Sequence, residues 1–142
     1  MSAAAGAVRS PGVLVGVGID AVDIERFRRV LARRPSLAAR LFSDAERVEA
    51  ARTADPTPVL AGRFAAKEAV MKALGTGLWA YPFSDVEVLG SGPTLRLGPR
   101  AAGYAADLGV AGWHVSITVD GSVAMAVVSA EAPAGALESR VR

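Results

Sequence analysis

Val13, Val15, Val17 and Ile19 alternate with Leu14, Gly16, Gly18 and Asp20, and this period of two predicts a strand. Its second face is bare at two glycines and ends in a carboxylate. Glycine inside a strand marks a close approach by another backbone or by a ligand. Ile24, Phe27 and Leu31 then share one stripe of a helix that Asp23 caps and Pro35 ends. Leu37 to Phe42 predicts a further helical turn, and Ser43-Asp-Ala-Glu46 reads as a capping box opening a short helix. Thr53 to Pro58 reads as a loop. Val59 to Leu74 is the strongest helical pattern, stopped by Gly75-Thr-Gly77. Short strands at Val86 to Leu89 and Leu95 to Leu97 flank the turn Gly90-Ser-Gly-Pro93. Pro99 opens a helix that ends near Gly109. Trp113 to Val119 and Val123 to Ala130 are strands joined by Asp120-Gly-Ser122, a hairpin signal. The order lacks regular strand–helix alternation. It predicts an α+β fold, a mainly antiparallel sheet packed on helices.

Charges interrupt the strongest helix. Leu60, Phe64, Met71 and Leu74 form one apolar stripe, and Gly62, Ala66, Ala69 and Ala73 form a small face that lets another element pack closely. Between them stand Arg63, Lys67, Glu68 and Lys72. Glu68 and Lys72 are four apart and share a face; Arg63 and Lys67 share another. On a surface helix such a pair contributes only about 0.2–0.5 kcal/mol. In a helix this apolar, charges must be paired or ligated. Lys67 and Lys72 are also the only lysines in the chain, which suits a compact point charge rather than a planar fork.

Composition narrows the classes. The 142 residues fit one domain, expected over residues 12–131, with 1–11 a disordered lead and 132–142 a flexible tail. A domain of this size buries roughly 70% of its unfolded surface, so it needs no metal or disulfide merely to fold. With no cysteine there is no disulfide framework, thiolate metal site or cysteine nucleophile. No apolar run approaches the ~18 residues of a membrane span, and the Ala-rich start lacks a basic segment followed by an apolar one. A cytoplasmic protein without a membrane partner is expected. The net charge is only +2, but Arg26, Arg28, Arg29, Arg33 and Arg34 crowd together. That patch suits an acidic partner or phosphates, or is a solvated helix face. Aromatic content is 6% and no stacking residues interleave the arginines, which argues against a nucleic-acid partner.

One motif is rejected. Gly16-x-Gly18-x-x-Ala21 after a strand matches a loose dinucleotide fingerprint, but that unit needs a second parallel strand within about 30 residues. The next convincing strand waits until Val86.

Three blocks together, Gly16-Val-Gly-Ile-Asp20, Phe64-Ala-Ala-Lys-Glu-Ala69 with Lys72-Ala73, and His114-Val-Ser-Ile-Thr118, resemble the holo-acyl-carrier-protein synthases, the short single-domain phosphopantetheinyl transferases. The resemblance spans about residues 12–131. It implies a homotrimer with sites in clefts between neighbouring subunits, coenzyme A as donor, magnesium as cofactor, and adenosine 3′,5′-bisphosphate as by-product. Asp20 and Glu68 would be the metal carboxylates, with Lys72 facing the transferring phosphate. Arg63, Lys67, Gly75, Thr76, Gly77 and Thr118 would help hold coenzyme A, and Gly92 and Pro93 would line its adenine end. Arg26, Arg29 and Arg33 would dock the acidic helix of an acyl carrier protein. Magnesium takes one or two protein carboxylates plus waters and substrate phosphates, which is the inventory that Asp20 and Glu68 supply. The attacking serine belongs to the partner, and its proton passes either to solvent at the metal or to Asp20. The chain departs from the family at Val119, where a second histidine is usual near the nucleotide. His114, the only histidine, is expected to be structural on a buried strand. The alternative is a module that grips coenzyme A or a carrier protein without turnover.

Overall fold

The computed structural model describes residues 12–136. Strand β1 (Gly12–Asp23) leads into helix α1 (Ile24–Arg33), the short α2 (Leu37–Leu41), α3 (Asp44–Ala51) and the long α4 (Pro56–Leu74). A 3-10 turn at Phe83–Asp85 precedes β2 (Val86–Leu89) and β3 (Thr94–Leu97). Then come α5 (Pro99–Asp107), β4 (Gly112–Asp120) and β5 (Val123–Pro133), closed by a 3-10 turn at Ala134–Ala136. The fold is α+β as expected, and every strand pair is antiparallel. The strands divide between two sheets, one ordered β1-β5-β4 and one pairing β2 with β3. Strand β5 runs two residues past the expected boundary at 131. The expected lead 1–11, and 137–142 of the expected tail, lie outside the described residues.

The caps form as their residues dictate. Asp23 accepts from the Arg26 amide at 2.8 Å. Ser43 and Glu46 exchange bonds with each other's amides at 3.2 and 2.9 Å. Thr53 to Pro58 is only partly a loop. Asp55 caps α4 by accepting from the Thr57 amide at 3.2 Å, and Pro56 takes the first helical position. Proline is tolerated there because the first-turn amides have no partner within the helix.

Helix α4 lies across the three-stranded sheet so closely that only small residues fit. A Cβ on Gly18 would come within 1.8 Å of the Ala69 carbonyl oxygen, and one on Gly16 within 2.0 Å of that of Ala73. A Cβ on Gly62 would meet the Ile117 side chain at 2.7 Å. The helix therefore starts over β4 and ends over β1. Strand β5 between them turns Ala124, Ala126, Val128 and Ala130 into the same contact, all buried. The glycine-bearing face of β1 is thus the inward one. The outer face of this sheet is open, apolar where β1 and β5 meet and polar along β4: Val17 and Ile19 on β1 are 53% and 54% exposed, beside Met125 and Val127 on β5.

Candidate active site

Strand β1 delivers Asp20 beneath the second half of α4. In register it sits beside Ala126 of β5, which pairs in turn with Ile117 of β4. The Asp20 side chain is 13% exposed. Lys72 donates to Asp20 Oδ1 at 3.0 Å and to the Ile19 carbonyl at 2.8 Å. Glu68, one turn earlier on α4, is the next carboxyl. Its pKa is pushed up from 4.5 to about 7, chiefly by burial, then by its hydrogen bond to Asp20 and by the Asp20 charge; the Lys72 charge opposes this. With both carboxyls ionised, the buried Asp20 Oδ2 has no donor; a proton on Glu68 lets the two carboxyls bond to each other. Two crowded carboxyls with an unsatisfied buried oxygen fit a hard divalent cation that completes its shell with water and substrate oxygens. Among the described residues no group of three or more histidine, cysteine or acidic side chains gathers to hold a metal by protein alone.

A cavity of about 490 Å³ opens at the other edge of the same sheet, lined by Arg63, Pro93, Ile117 and Val119. It brings together Arg63, Pro93 and Val119, the position at which the resemblance noted above leads one to expect a second histidine. Arg63 donates through Nη1 to the Glu46 carbonyl at 2.8 Å and through Nη2 to Glu49. Glu49 also accepts from the Gly90 amide at 3.1 Å. Gly92 adjoins Pro93 in the β2–β3 turn.

Two expected coenzyme A ligands sit elsewhere. Lys67 is fully buried, and its three donors are spent on Glu46 Oε1 at 2.7 Å and the carbonyls of Leu41 and Phe83 at 2.9 and 3.1 Å. It ties α4 to the helices beside it and has no surface for a ligand. Burial lowers its pKa, opposed by the Glu46 charge. Thr118 lies between the two cavity residues of β4, so strand alternation turns it to the open outer face, where it is exposed. His114 is on that face too, about half exposed and 3.3 Å from Glu131, rather than buried.

Gly75, Thr76 and Gly77 follow Lys72 at the end of α4. Gly75 ends the helix at φ 68°, a left-handed conformation that favours glycine, and the Thr76 hydroxyl donates to the Met71 carbonyl at 3.2 Å. Arg26, Arg29 and Arg33 are exposed on α1 and none is in an ion pair among the described residues. Their neighbour Arg28 is different: it pairs with Asp55 at 2.7 Å and fastens α1 to the start of α4. Glu46 and Glu49, which hold Lys67 and Arg63, were not singled out in the sequence as site residues. The capping box marked Glu46 only as a helix start.

A model of the 4'-phosphopantetheinyl transferase superfamily matches residues 16–128. The holo-[acyl-carrier-protein] synthase of Frankia casuarinae is 51% identical over 123 residues, covering 83% of this chain and 98% of that protein. The Streptomyces coelicolor protein of the same name is 46% identical over 124 residues, with the same shares. The crystal structure of the Neisseria meningitidis holo-[acyl-carrier-protein] synthase superposes with a TM-score of 0.76 at 29% identity, covering 84% of this chain and 99% of that one. That of the Helicobacter pylori enzyme in complex with coenzyme A gives 0.70 at 29% identity, covering 80% and 98%.

Proposed function

The chain belongs to the 4'-phosphopantetheinyl transferase superfamily, and from that membership we propose how its residues work as a holo-acyl-carrier-protein synthase. The reaction moves the 4'-phosphopantetheine arm of coenzyme A to a serine of an apo acyl carrier protein. The serine oxygen attacks the diphosphate phosphorus that bears the pantetheine arm. The bond from that phosphorus to the bridging oxygen breaks, and adenosine 3′,5′-bisphosphate leaves with the electron pair. The observation that carries the residue assignment is the cluster of Asp20, Glu68 and Lys72, two crowded carboxyls and a cation where α4 crosses β1.

Magnesium bound by Asp20 and Glu68 would neutralise the diphosphate and the charge that develops as it breaks. Lys72, held between the Ile19 carbonyl and Asp20, places a second positive charge there without having to reorganise. Asp20, whose Oδ2 has no donor when Glu68 is ionised, is one acceptor for the serine proton and solvent is the other. Gly75, Thr76 and Gly77 border the diphosphate from the helix end. Arg63, Gly92 and Pro93 hold the nucleotide in the cavity at the opposite sheet edge. The exposed Arg26, Arg29 and Arg33 present unpaired charge to the acidic carrier protein.

The carboxyl cluster and the cavity stand on opposite edges of one sheet, with β5 and α4 between them. A homotrimer resolves this: the outer apolar face covers itself against neighbouring copies, and the cavity edge of one copy meets the carboxyl edge of the next. Thr118, on the outer face, would then reach a cleft only at such a boundary. The compartment expected for this chemistry is the cytoplasm; no helix among the described residues is long and apolar enough to cross a membrane.

Intact-mass spectrometry of an apo carrier protein incubated with the enzyme, coenzyme A and magnesium tests the proposal. A gain of one phosphopantetheine, prevented by a chelator, is the expected result. Binding of coenzyme A without any mass gain across several carriers would sink it in favour of a non-catalytic binding module.

A further inference from the structure

Helix α3 places a carboxylate on the two donors that an anion entering the cavity would meet. Glu49 Oε2 accepts from the Gly90 amide at 3.1 Å and from Arg63 Nη2. Neither donor depends on Glu49 for its position. Arg63 is anchored through Nη1 to the Glu46 carbonyl at 2.8 Å. Glu46 is itself locked by Lys67 and by the Val88 amide, at 2.7 and 3.2 Å. The Gly90 amide is set by the β2–β3 turn, where its φ of 91° suits glycine alone. The Arg63 side chain is 7% exposed and that of Glu49 is 29% exposed. The carboxylate can therefore swing towards solvent while the guanidinium stays. Both donors also hold the Glu49 pKa below its ordinary value, the Gly90 amide most, so at neutral pH the occupant is an anion.

We propose that Glu49 is an internal occupant of the cavity's anion seat, a carboxylate that an incoming 3′-phosphomonoester must displace and that thereby holds down the affinity for the donor nucleotide. This rests on the assignment of the cavity to the coenzyme A nucleotide. The reacting diphosphate belongs with Asp20, Glu68 and Lys72, so the phosphate left for Arg63 and Gly90 is the 3′-phosphomonoester. Near neutral pH it carries almost two charges and three acceptor oxygens, against one charge on Glu49. It can take both donors from the carboxylate, and a ligand also anchored at its other end does so at high effective concentration. Glu49 thus weakens every ligand that takes the seat through a 3′-phosphate and leaves a nucleotide without one untouched.

The test is calorimetric titration of the wild-type protein, Glu49→Gln and Glu49→Ala with adenosine 3′,5′-bisphosphate and with adenosine 5′-monophosphate. Both variants should bind the bisphosphate about tenfold tighter than wild type, the scale of one charge-assisted hydrogen bond no longer contested, and the monophosphate no tighter. Glu49→Gln removes the charge while keeping an acceptor for Gly90, so it serves if the alanine variant misfolds. Wild-type binding that Glu49→Gln leaves equal or weaker overturns the inference and leaves the function standing. An equal gain for the monophosphate overturns it too, because the seat would not be reading the 3′-phosphate. If neither wild type nor variants bind the bisphosphate, the inference and the nucleotide site fall together.

Discussion

Lys72 Nζ lies 3.0 Å from Asp20 Oδ1, joining a helix residue to a strand residue 52 positions away. The bond is possible because Gly16 and Gly18 let α4 settle onto β1, which brings the Lys72 and Glu68 side of the helix to Asp20 on that strand. Lys72 is itself half exposed, so its ammonium faces where a phosphate would arrive. Lys72→Ala and Glu68→Ala are each expected to lower transfer by roughly 10²-fold or more, the scale for losing one preorganised electrostatic partner. Circular dichroism should stay unchanged, since neither side chain fills the core. Full transfer by Glu68→Ala, read by intact mass, would remove Glu68 from the proposed metal site.

The raised pKa of Glu68 fixes the sign of a pH effect in the metal-free protein. A carboxyl at 4.5 when unfolded and about 7 when folded holds its proton more tightly in the folded state. Its contribution to stability is fully present below the unfolded value and is lost as pH rises through the folded one. Melting temperature without metal should fall between about pH 4.5 and 7 for this reason, and Glu68→Gln should flatten that fall. Magnesium should restore stability most at the alkaline end, where both carboxylates are charged. A wild-type profile that Glu68→Gln leaves unaltered would contradict the assignment of this titration to Glu68.

Gly18→Ala tests the close packing. Its Cβ would lie 1.8 Å from a backbone oxygen of α4, and backbone cannot turn aside as a flexible side chain can. The helix must lift or the strand must bend, at a cost of about 3 kcal/mol. Denaturant unfolding should show that loss, with lower transfer because Asp20 and Lys72 separate. Unaltered stability would mean that the contact is looser than the structure has it.

Much of this was legible in the chain. The two glycines of β1 and the small face of α4 announced each other, and the structure joins them. The capping box at Ser43 to Glu46 formed as written. Periodicity found the helix but not its beginning, because a loop-like Asp-Pro also opens a helix. Nor could periodicity sort the four charges of α4. Whether a helix lysine faces a ligand or a partner depends on what the fold brings to it, and the carboxylate that claims Lys67 lies 21 positions away on α3. The same reason hid Thr118. A motif names a residue, but strand alternation decides which way it faces.

Lys67 should behave as a structural ion, not as a ligand. Removing one member of a buried, hydrogen-bonded pair costs about 3–5 kcal/mol because the other charge stays uncompensated. Lys67→Met is expected to lose stability on that scale by chemical denaturation. In the fraction that stays folded, KM for coenzyme A should be close to wild type. A large rise in that KM with little loss of stability would return Lys67 to the donor site.

The outer sheet face supplies the last test. Val127 sits in register with Ile19 on one side and Ser116 on the other, near the middle of the open face, and is 42% exposed. A glutamate there costs the isolated chain little, because it meets water. Between copies it would bury an unpaired charge, which an apolar interface does not tolerate. Val127→Glu should therefore convert a trimer to monomers by light scattering, keep the far-ultraviolet dichroism of the wild type, and lose transfer although Asp20, Glu68 and Lys72 are untouched. Loss of transfer would follow because the carboxyl edge of one copy no longer meets the cavity edge of another. A wild-type protein that is monomeric and active, or a monomeric variant with full activity, would show instead that one chain holds the whole site.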